Sequence, residues 1–309
     1  MSIITVMQRL FRVRLAVIAF TAMLVTACGG NPPPRGPRRG TPPAPVANQV
    51  QAPARSANIP PTPPPPVAAE SAIVVDVASG RVIYAKNADI PRAVASTQKI
   101  ITALCVIDGG NIDKPVTIAE SDGAVEPTKL GLKAGEVYTR RQLLKVLMVK
   151  SANDVARALA RDVGGDVDSF SVLMNRKAAS LGMRNSNFKN PHGLTLPGQY
   201  STARDMAIAT RYAYRSPLLR SYVATREFDF VFNNGNTRHI ENTNKVLKTL
   251  PYCNGFKTGT TDASGRCLVA SGALNGRAVI VVVLKSNTPN VWKDATKLLS
   301  WSLERPGGA

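Results

Sequence analysis

Between Asn31 and Pro66 the chain is dominated by proline, with glycine, alanine and arginine and almost no large apolar side chain. Nothing in that stretch buries enough surface to offset the entropy of ordering it. It therefore divides the sequence into parts that can fold and parts that cannot. Upstream, Arg9, Arg12 and Arg14 precede an apolar run from Leu15 to Val25. That run is too short to cross a bilayer as a stable helix but fits the core of a signal peptide. The expected organisation is a signal peptide over 1–27, a tether over 28–67, one folded domain over 68–303 and a tail over 304–309.

The leader ends in Val25-Thr26-Ala27-Cys28. Small residues before a cysteine resemble a bacterial lipobox, which implies cleavage before Cys28 and lipid on its thiol. An ordinary cleaved signal with an incidental cysteine is the alternative. In polyproline form, at about 3.1 Å per residue, the tether can hold a domain up to roughly 100 Å from a membrane. The expected setting is the cell envelope, with the domain facing the periplasm. The formal charge is +19; seven arginines and no acid precede residue 67, leaving +12 on the folded part. Such an excess suits acidic polymers or anionic lipid, or is simply a basic surface, and a secretion signal argues against nucleic acid.

Within 68–303, Ala72–Val77 and Arg81–Ala85 are β-branched runs separated by Ala78-Ser79-Gly80, the pattern of an antiparallel hairpin. From Ser96 to Ile107 apolar residues recur at Ile100, Ile101, Leu104 and Ile107, a helical period that stops at Gly109-Gly110. Further helices are expected over Thr139–Val149, Asn153–Val163, Val167–Leu181 and Thr202–Tyr214. Strands return over Gly255–Gly259, Cys267–Ala273 and Ala278–Leu284, and a helix over Val291–Leu303 closes the domain. The order predicts an α/β (α+β) domain in which N- and C-terminal strands share one antiparallel sheet, with a helical block inserted between them.

Three short motifs carry the chemistry: Ser96-Thr97-Gln98-Lys99, Ser151-Ala152-Asn153 and Lys257-Thr258-Gly259. Each alone is weak, since Ser186-Asn187-Phe188-Lys189 and Ser56-Ala57-Asn58 repeat two of the patterns; order, spacing and flanking elements give the set its weight. A serine hydroxyl needs a base to attack a carbonyl. Lys99 stands one helical turn from Ser96 and can be that base if burial or a neighbouring cation, with Lys257 the candidate, lowers its pKa. Ser151 can relay a proton to a leaving nitrogen, and the Asn153 amide can hold Lys99 or a substrate carbonyl. Both are also good helix caps, and the two readings stand together. Lys257 and Thr258 can receive a terminal carboxylate, and Gly259 is expected to let a substrate backbone approach the strand. The N–H groups of Ser96 and Thr260 are the expected oxyanion hole. No metal or cofactor is expected.

Taken together the motifs resemble the signature of β-lactamases and penicillin-binding proteins. Residues 70–303 are similar to the serine-type D-alanyl-D-alanine carboxypeptidases, the low-molecular-mass penicillin-binding proteins. Asn190-Pro191-His192-Gly193-Leu194, Tyr200 to Met206 and Thr261 to Gly265 look like that family's connecting segments. The resemblance implies a β-lactamase/transpeptidase-like fold, a Ser96 acyl-enzyme on peptidoglycan stem peptides, covalent binding of β-lactam antibiotics, and a structural role for His192. Two departures stand out. Many relatives carry a further β-rich domain and a membrane helix, for which the lipid on Cys28 is the expected replacement. Relatives also often place a carboxylate-binding arginine before the final helix, whereas Asn290-Val291-Trp292-Lys293 contains none, leaving Lys293, or Lys257 with Thr258, to fill its role.

A D,D-endopeptidase uses the same chemistry and stays open at this stage, as does a non-enzymatic wall-binding lipoprotein. A β-lactamase is less favoured, because no glutamate lies between Ser151 and Glu227 to activate water against an acyl-enzyme. Among the cysteines, Cys105 is expected to be a buried apolar filler. Cys253 and Cys267 bracket the Lys257 strand, and a fold-back there is expected to set them nearly opposite and bonded. Two independent thiols are the alternative.

Overall fold

The computed structural model describes residues 63–304. The leader, Cys28 and nearly all of the tether lie outside the described residues. In chain order the elements are β1 (Ser71–Asp76), β2 (Val82–Lys86), α1 (Lys99–Asp108), β3 (Pro115–Thr117), β4 (Val137–Thr139), α2 (Arg140–Val149), α3 (Asn153–Gly164), α4 (Val167–Ser180), α5 (Ala203–Tyr214) and α6 (Pro217–Ala224). There follow β5 (Glu227–Val231), β6 (Thr237–Glu241), α7 (Val246–Thr249), β7 (Cys253–Thr261), β8 (Gly265–Leu274), β9 (Arg277–Ser286) and α8 (Asn290–Leu303).

Five strands form one antiparallel sheet in the order β2-β1-β9-β8-β7. The N-terminal hairpin and the C-terminal strands therefore meet at β1–β9, with the helices between them in sequence, as the pattern predicts. Strand β9 is apolar without alternation because it is covered on both sides. Val281 and Val283 pack with Leu298 and Leu299 of α8, while Ile280 and Val282 belong to the larger core under the helical block. Helix α1 is the centre of that block: Lys99 to Val106 are all buried.

Two helix starts move inward by one residue for a local reason. Thr139 and Thr202 are caps, whose hydroxyls accept the backbone N–H groups of Gln142 and Asp205. Nucleophile-motif residues Ala95–Gln98 form a 3-10 turn that leads into α1. At the domain's entrance, the buried Asp294 carboxylate on α8 accepts the N–H groups of Ala68 at 3.1 Å and Ala69 at 2.9 Å.

The expected Cys253–Cys267 bridge is absent, and the register explains why. Cys253 pairs with Gly272 and Cys267 with Gly259, so the two cysteines stand five residues apart along the ladder, about 17 Å. They also face opposite sides of the sheet, Cys253 toward α8 and Cys267 toward the helical block. Disulfide geometry requires Cα atoms within about 7 Å. Cys105, Cys253 and Cys267 are all free and buried. Burial pushes the Cys105 thiol up to about 12 and that of Cys267 up to about 11. Mass spectrometry of a non-reduced digest should find Cys253 and Cys267 on separate, thiol-bearing peptides; a linked pair would contradict this register.

Candidate active site

The three motifs converge at the edge of β7, where the sheet meets the helical block. Ser96 is half-buried near the start of the turn entering α1. One turn on, Lys99 is fully buried, and its Nζ lies 2.8 Å from Ser96 Oγ, 2.7 Å from Asn153 Oδ1 and 2.6 Å from the His192 carbonyl oxygen. Two of those neighbours can only accept. A neutral amine has two N–H bonds and one lone pair. The Ser96 hydroxyl lies 3.2 Å from the His192 carbonyl, to which it can donate; when Lys99 is neutral, Asn153 and His192 can take both of its N–H bonds, which leaves the lone pair available to the Ser96 hydroxyl 2.8 Å away.

Asn153 is itself fixed from behind. Its N–H donates to the Thr128 carbonyl at 2.8 Å and its Nδ2 to the Pro127 carbonyl at 3.0 Å. The adjacent Asp154 carboxylate, fully buried, accepts the N–H groups of Leu130, Gly131 and Leu132. A strap over 127–132 is thereby pinned to the start of α3. Ser151, at φ 69° and buried, turns the chain from α2 into α3 and lines the cleft beside Ser96. Among the described residues its hydroxyl makes no hydrogen bond to either lysine.

The segment carrying His192 is stitched to the same turn. Gln98 Nε2 donates to the Asn190 carbonyl and Thr102 Oγ1 to the Pro191 carbonyl. Gly193 has φ +92°, and a Cβ there would sit 2.1 Å from the Ala95 carbonyl oxygen. Only glycine fits. The imidazole of His192 is driven down to about 3 by burial and by the nearby charges of Lys99 and Arg157. It is neutral at physiological pH, its Nδ1 accepts the Leu194 N–H at 3.3 Å, and what it presents to Lys99 is its backbone carbonyl.

On β7, Lys257 is buried and donates to the Thr258 carbonyl at 3.1 Å; Thr258 Oγ1 meets Thr243 Oγ1 at 2.6 Å. Gly259 lines the cleft, where the approach of a substrate backbone is expected, and the structure adds a further reason for glycine there. A Cβ on Gly259 would lie 2.8 Å from the Ser96 nitrogen and 2.9 Å from that of Thr97. What the missing side chain admits is the protein's own nucleophile turn, and this brings β7 against the Ser96 N–H. The alternative Ser186 motif places its hydroxyl on Asp205 and Ser201 and takes no part in the cleft.

The cleft has a volume of about 400 Å³. Besides Ser96, Ser151, Thr258, Gly259 and Thr260, it is lined by Thr128, Thr243, Lys245, Arg266 and Trp292. Sequence reasoning missed these, along with the His192 and Pro127 carbonyls. Backbone carbonyls carry no sequence signal, and the remaining side chains come from segments distant in sequence. Lys293, expected as a stand-in for the family arginine, is exposed and does not line the cleft; its neighbour Trp292 does. No cluster of histidine, cysteine or acid able to hold a metal occurs among the described residues.

Antiparallel sheet, inserted helices and a Ser–Lys pair at the seam define the penicillin-binding/transpeptidase fold. The sequence profile of the D-alanyl-D-alanine carboxypeptidase family (Peptidase_S11) matches residues 58–288, and the chain belongs to that family. The carboxypeptidase DacF of Bacillus subtilis is 34% identical over 245 residues, covering 77% of this chain and 62% of the relative. DacB2 of Mycobacterium tuberculosis is 33% identical over 239 residues, covering 75% of this chain and 81% of the relative. A D-alanyl-D-alanine endopeptidase of Pseudomonas aeruginosa is 33% identical over 240 residues, with coverage of 76% and 77%. The chain thus spans less than two thirds of the Bacillus protein. Among solved structures, the Streptomyces K15 DD-transpeptidase superposes with a TM-score of 0.74 at 31% identity, covering 78% of this chain and 98% of that one.

Burial drives Lys257 down to about 7, and burial together with the Lys257 charge holds Lys99 well below the usual lysine range, against an opposing pull from Asp154. In the unfolded chain both lysines titrate near 10.4, so above pH 7 the unfolded state binds more protons. Stability should therefore rise with pH from about 7 to about 8.5, where the unfolded chain's thiols begin to ionise and act oppositely. Denaturant melts across that window should show a slope of up to about 1.4 kcal/mol per pH unit for each lysine that is neutral only when folded. The slope should be shallower in Lys257→Met; an equal slope there would contradict the assignment.

Proposed function

We propose that this protein is a serine D-Ala-D-Ala carboxypeptidase that trims peptidoglycan stem peptides and is acylated by β-lactams. The observation that carries the reading is the contact of Lys99 Nζ with Ser96 Oγ at 2.8 Å, with two carbonyl oxygens occupying its N–H bonds. In this mechanism Lys99 accepts the Ser96 proton as Oγ attacks the carbonyl of the penultimate D-alanine. The N–H groups of Ser96 and Thr260 receive the oxyanion. Collapse of the tetrahedral intermediate breaks the peptide bond, and the departing amine takes the proton from Lys99 by way of Ser151. Water, deprotonated by Lys99, then attacks the ester, releasing the shortened peptide and restoring the Ser96 hydroxyl. With a β-lactam the leaving group stays attached to the acyl chain, and without a glutamate between Ser151 and Glu227 to drive water the adduct persists.

A second reading is supported by one finding, the similarity to the Pseudomonas endopeptidase: the same site acting on crosslinked peptides. We infer further that the enzyme is a lipoprotein, held by Cys28 to a membrane and facing the periplasm. The support is the Val25 to Cys28 motif and the proline-rich tether behind it.

Ser96→Ala should abolish both hydrolysis and labelling by a fluorescent penicillin, and digestion of purified wall fragments should release one terminal alanine per stem. Splitting of crosslinked dimers would favour the endopeptidase, and labelling of Ser96→Ala at the wild-type rate would remove the assignment. Cys28→Ser should move the protein from membranes to the soluble periplasmic fraction; persistence on membranes would contradict lipid anchoring.

A further inference from the structure

A carboxypeptidase must recognise a terminal carboxylate one residue beyond the bond it cuts, and this inference rests on the proposed carboxypeptidase reading. The cleft holds two kinds of cation. Lys99 and Lys257 lie beneath its floor, fully buried and close enough to repel one another. With Lys257 brought down to about 7 by burial, neither is a permanent charge at neutral pH. The exposed lining contributes Lys150, Lys245 and Arg266, and no acid is among the lining residues. A carboxylate entering the cleft is therefore met by fixed positive charge from the lining.

Of the three lining cations only Arg266 is held in place. It lies on β8 directly across the ladder from Thr260, and its Nη1 donates to Thr260 Oγ1 at 3.1 Å. That hydroxyl in turn donates to the Gly259 carbonyl at 2.8 Å. The guanidinium is thus anchored to the strand that carries Thr258, the hydroxyl expected to contact the same carboxylate. Among the described residues Arg266 forms no ion pair. The ammonium groups of Lys150 and Lys245 make no hydrogen bond there, so neither has a defined direction. A planar guanidinium can bind both oxygens of a carboxylate at once, which a lysine cannot do.

We propose that Arg266 reads the substrate's terminal carboxylate, together with Thr258, and so sets the preference for a free C-terminus. The charge reaches the cleft from β8, across the ladder from Thr260, and not from the turn entering α8, where Trp292 occupies the wall.

The test is steady-state hydrolysis, by the purified full-length protein, of a synthetic peptide ending in D-Ala-D-Ala. Arg266→Ala should lower kcat/KM at least tenfold, mainly by raising KM, with kcat within about threefold of wild type. Arg266→Lys should recover part of the loss, and Arg266→Glu should lose several-fold more than alanine by repelling the carboxylate. Because Arg266 is exposed, thermal midpoints should stay close to wild type, which separates binding from folding. An unchanged KM in Arg266→Ala would overturn the proposal, as would a lysine variant no better than alanine or equal losses in alanine and glutamate. A wild-type protein inactive on every such peptide would instead remove the carboxypeptidase reading beneath it.

Discussion

The site depends on keeping two lysines dry. An ammonium group taken from water without a counter-charge is strongly disfavoured, and a second one facing it adds to the cost. Here both lysines lie at the junction of β7 with the helical block, and the cheapest way to hold them is without their protons. The surroundings of Lys99 fit that state, since Asn153 and His192 present oxygens that take N–H bonds and leave one electron pair for Ser96. Asp154 limits how far the effect goes. Its buried charge favours the protonated form, while its hydrogen bonds to the strap fix Asn153, so the same carboxylate shapes both the basicity and the geometry of the amine.

Sealing that pair from solvent demands close backbone contact, and two glycines provide it. Gly193 lets the His192 loop lie against the Ala95 carbonyl, and Gly259 lets β7 lie against the Ser96 and Thr97 nitrogens. Neither leaves room for a methyl group. The catalytic turn is therefore clamped between a loop and a strand, and α1, buried from Lys99 to Val106, anchors it from below.

Much of this was legible in the sequence where periodicity is strong. The N-terminal hairpin, helices α1 to α5, the three C-terminal strands and α8 follow from β-branched runs and 3.6-residue spacing, and the three motifs identify the serine, the lysines and Asn153. Most of the elements that escaped are short, although α6 carries a helix-start signal in its Ser216 cap and Pro217. Strands β3 and β4 have three residues each, too few for a pattern. The β5–β6 hairpin does carry a sequence signal, an Asn234-Gly235 turn and alternating Phe228 and Phe230. The cysteine pairing failed for a different reason. Nearness in sequence on a hairpin does not fix register, and the hairpin turn over 262–264 places Cys267 opposite Gly259, six positions from Cys253. Likewise, no sequence pattern announces that a carbonyl will meet a lysine, or that an arginine on β8 will reach the cleft.

The Asp294 contacts at residues 68 and 69 bear on how this domain responds to force. A chain held at its N-terminal side is loaded first where the Pro63 carbonyl accepts from Trp301 Nε1 on α8, next at the Asp294 carboxylate on the same helix, and then along β1. That strand is not at an edge: β2 and β9 flank it with antiparallel ladders on both sides. Tension along β1 loads those two sets of hydrogen bonds together in shear, whereas an edge strand peels one bond at a time. The sheet order that sets β1 between β2 and β9 thus places two ladders directly behind the contacts of residues 68 and 69 with α8, so load entering from the N-terminal side falls first on β1 and α8.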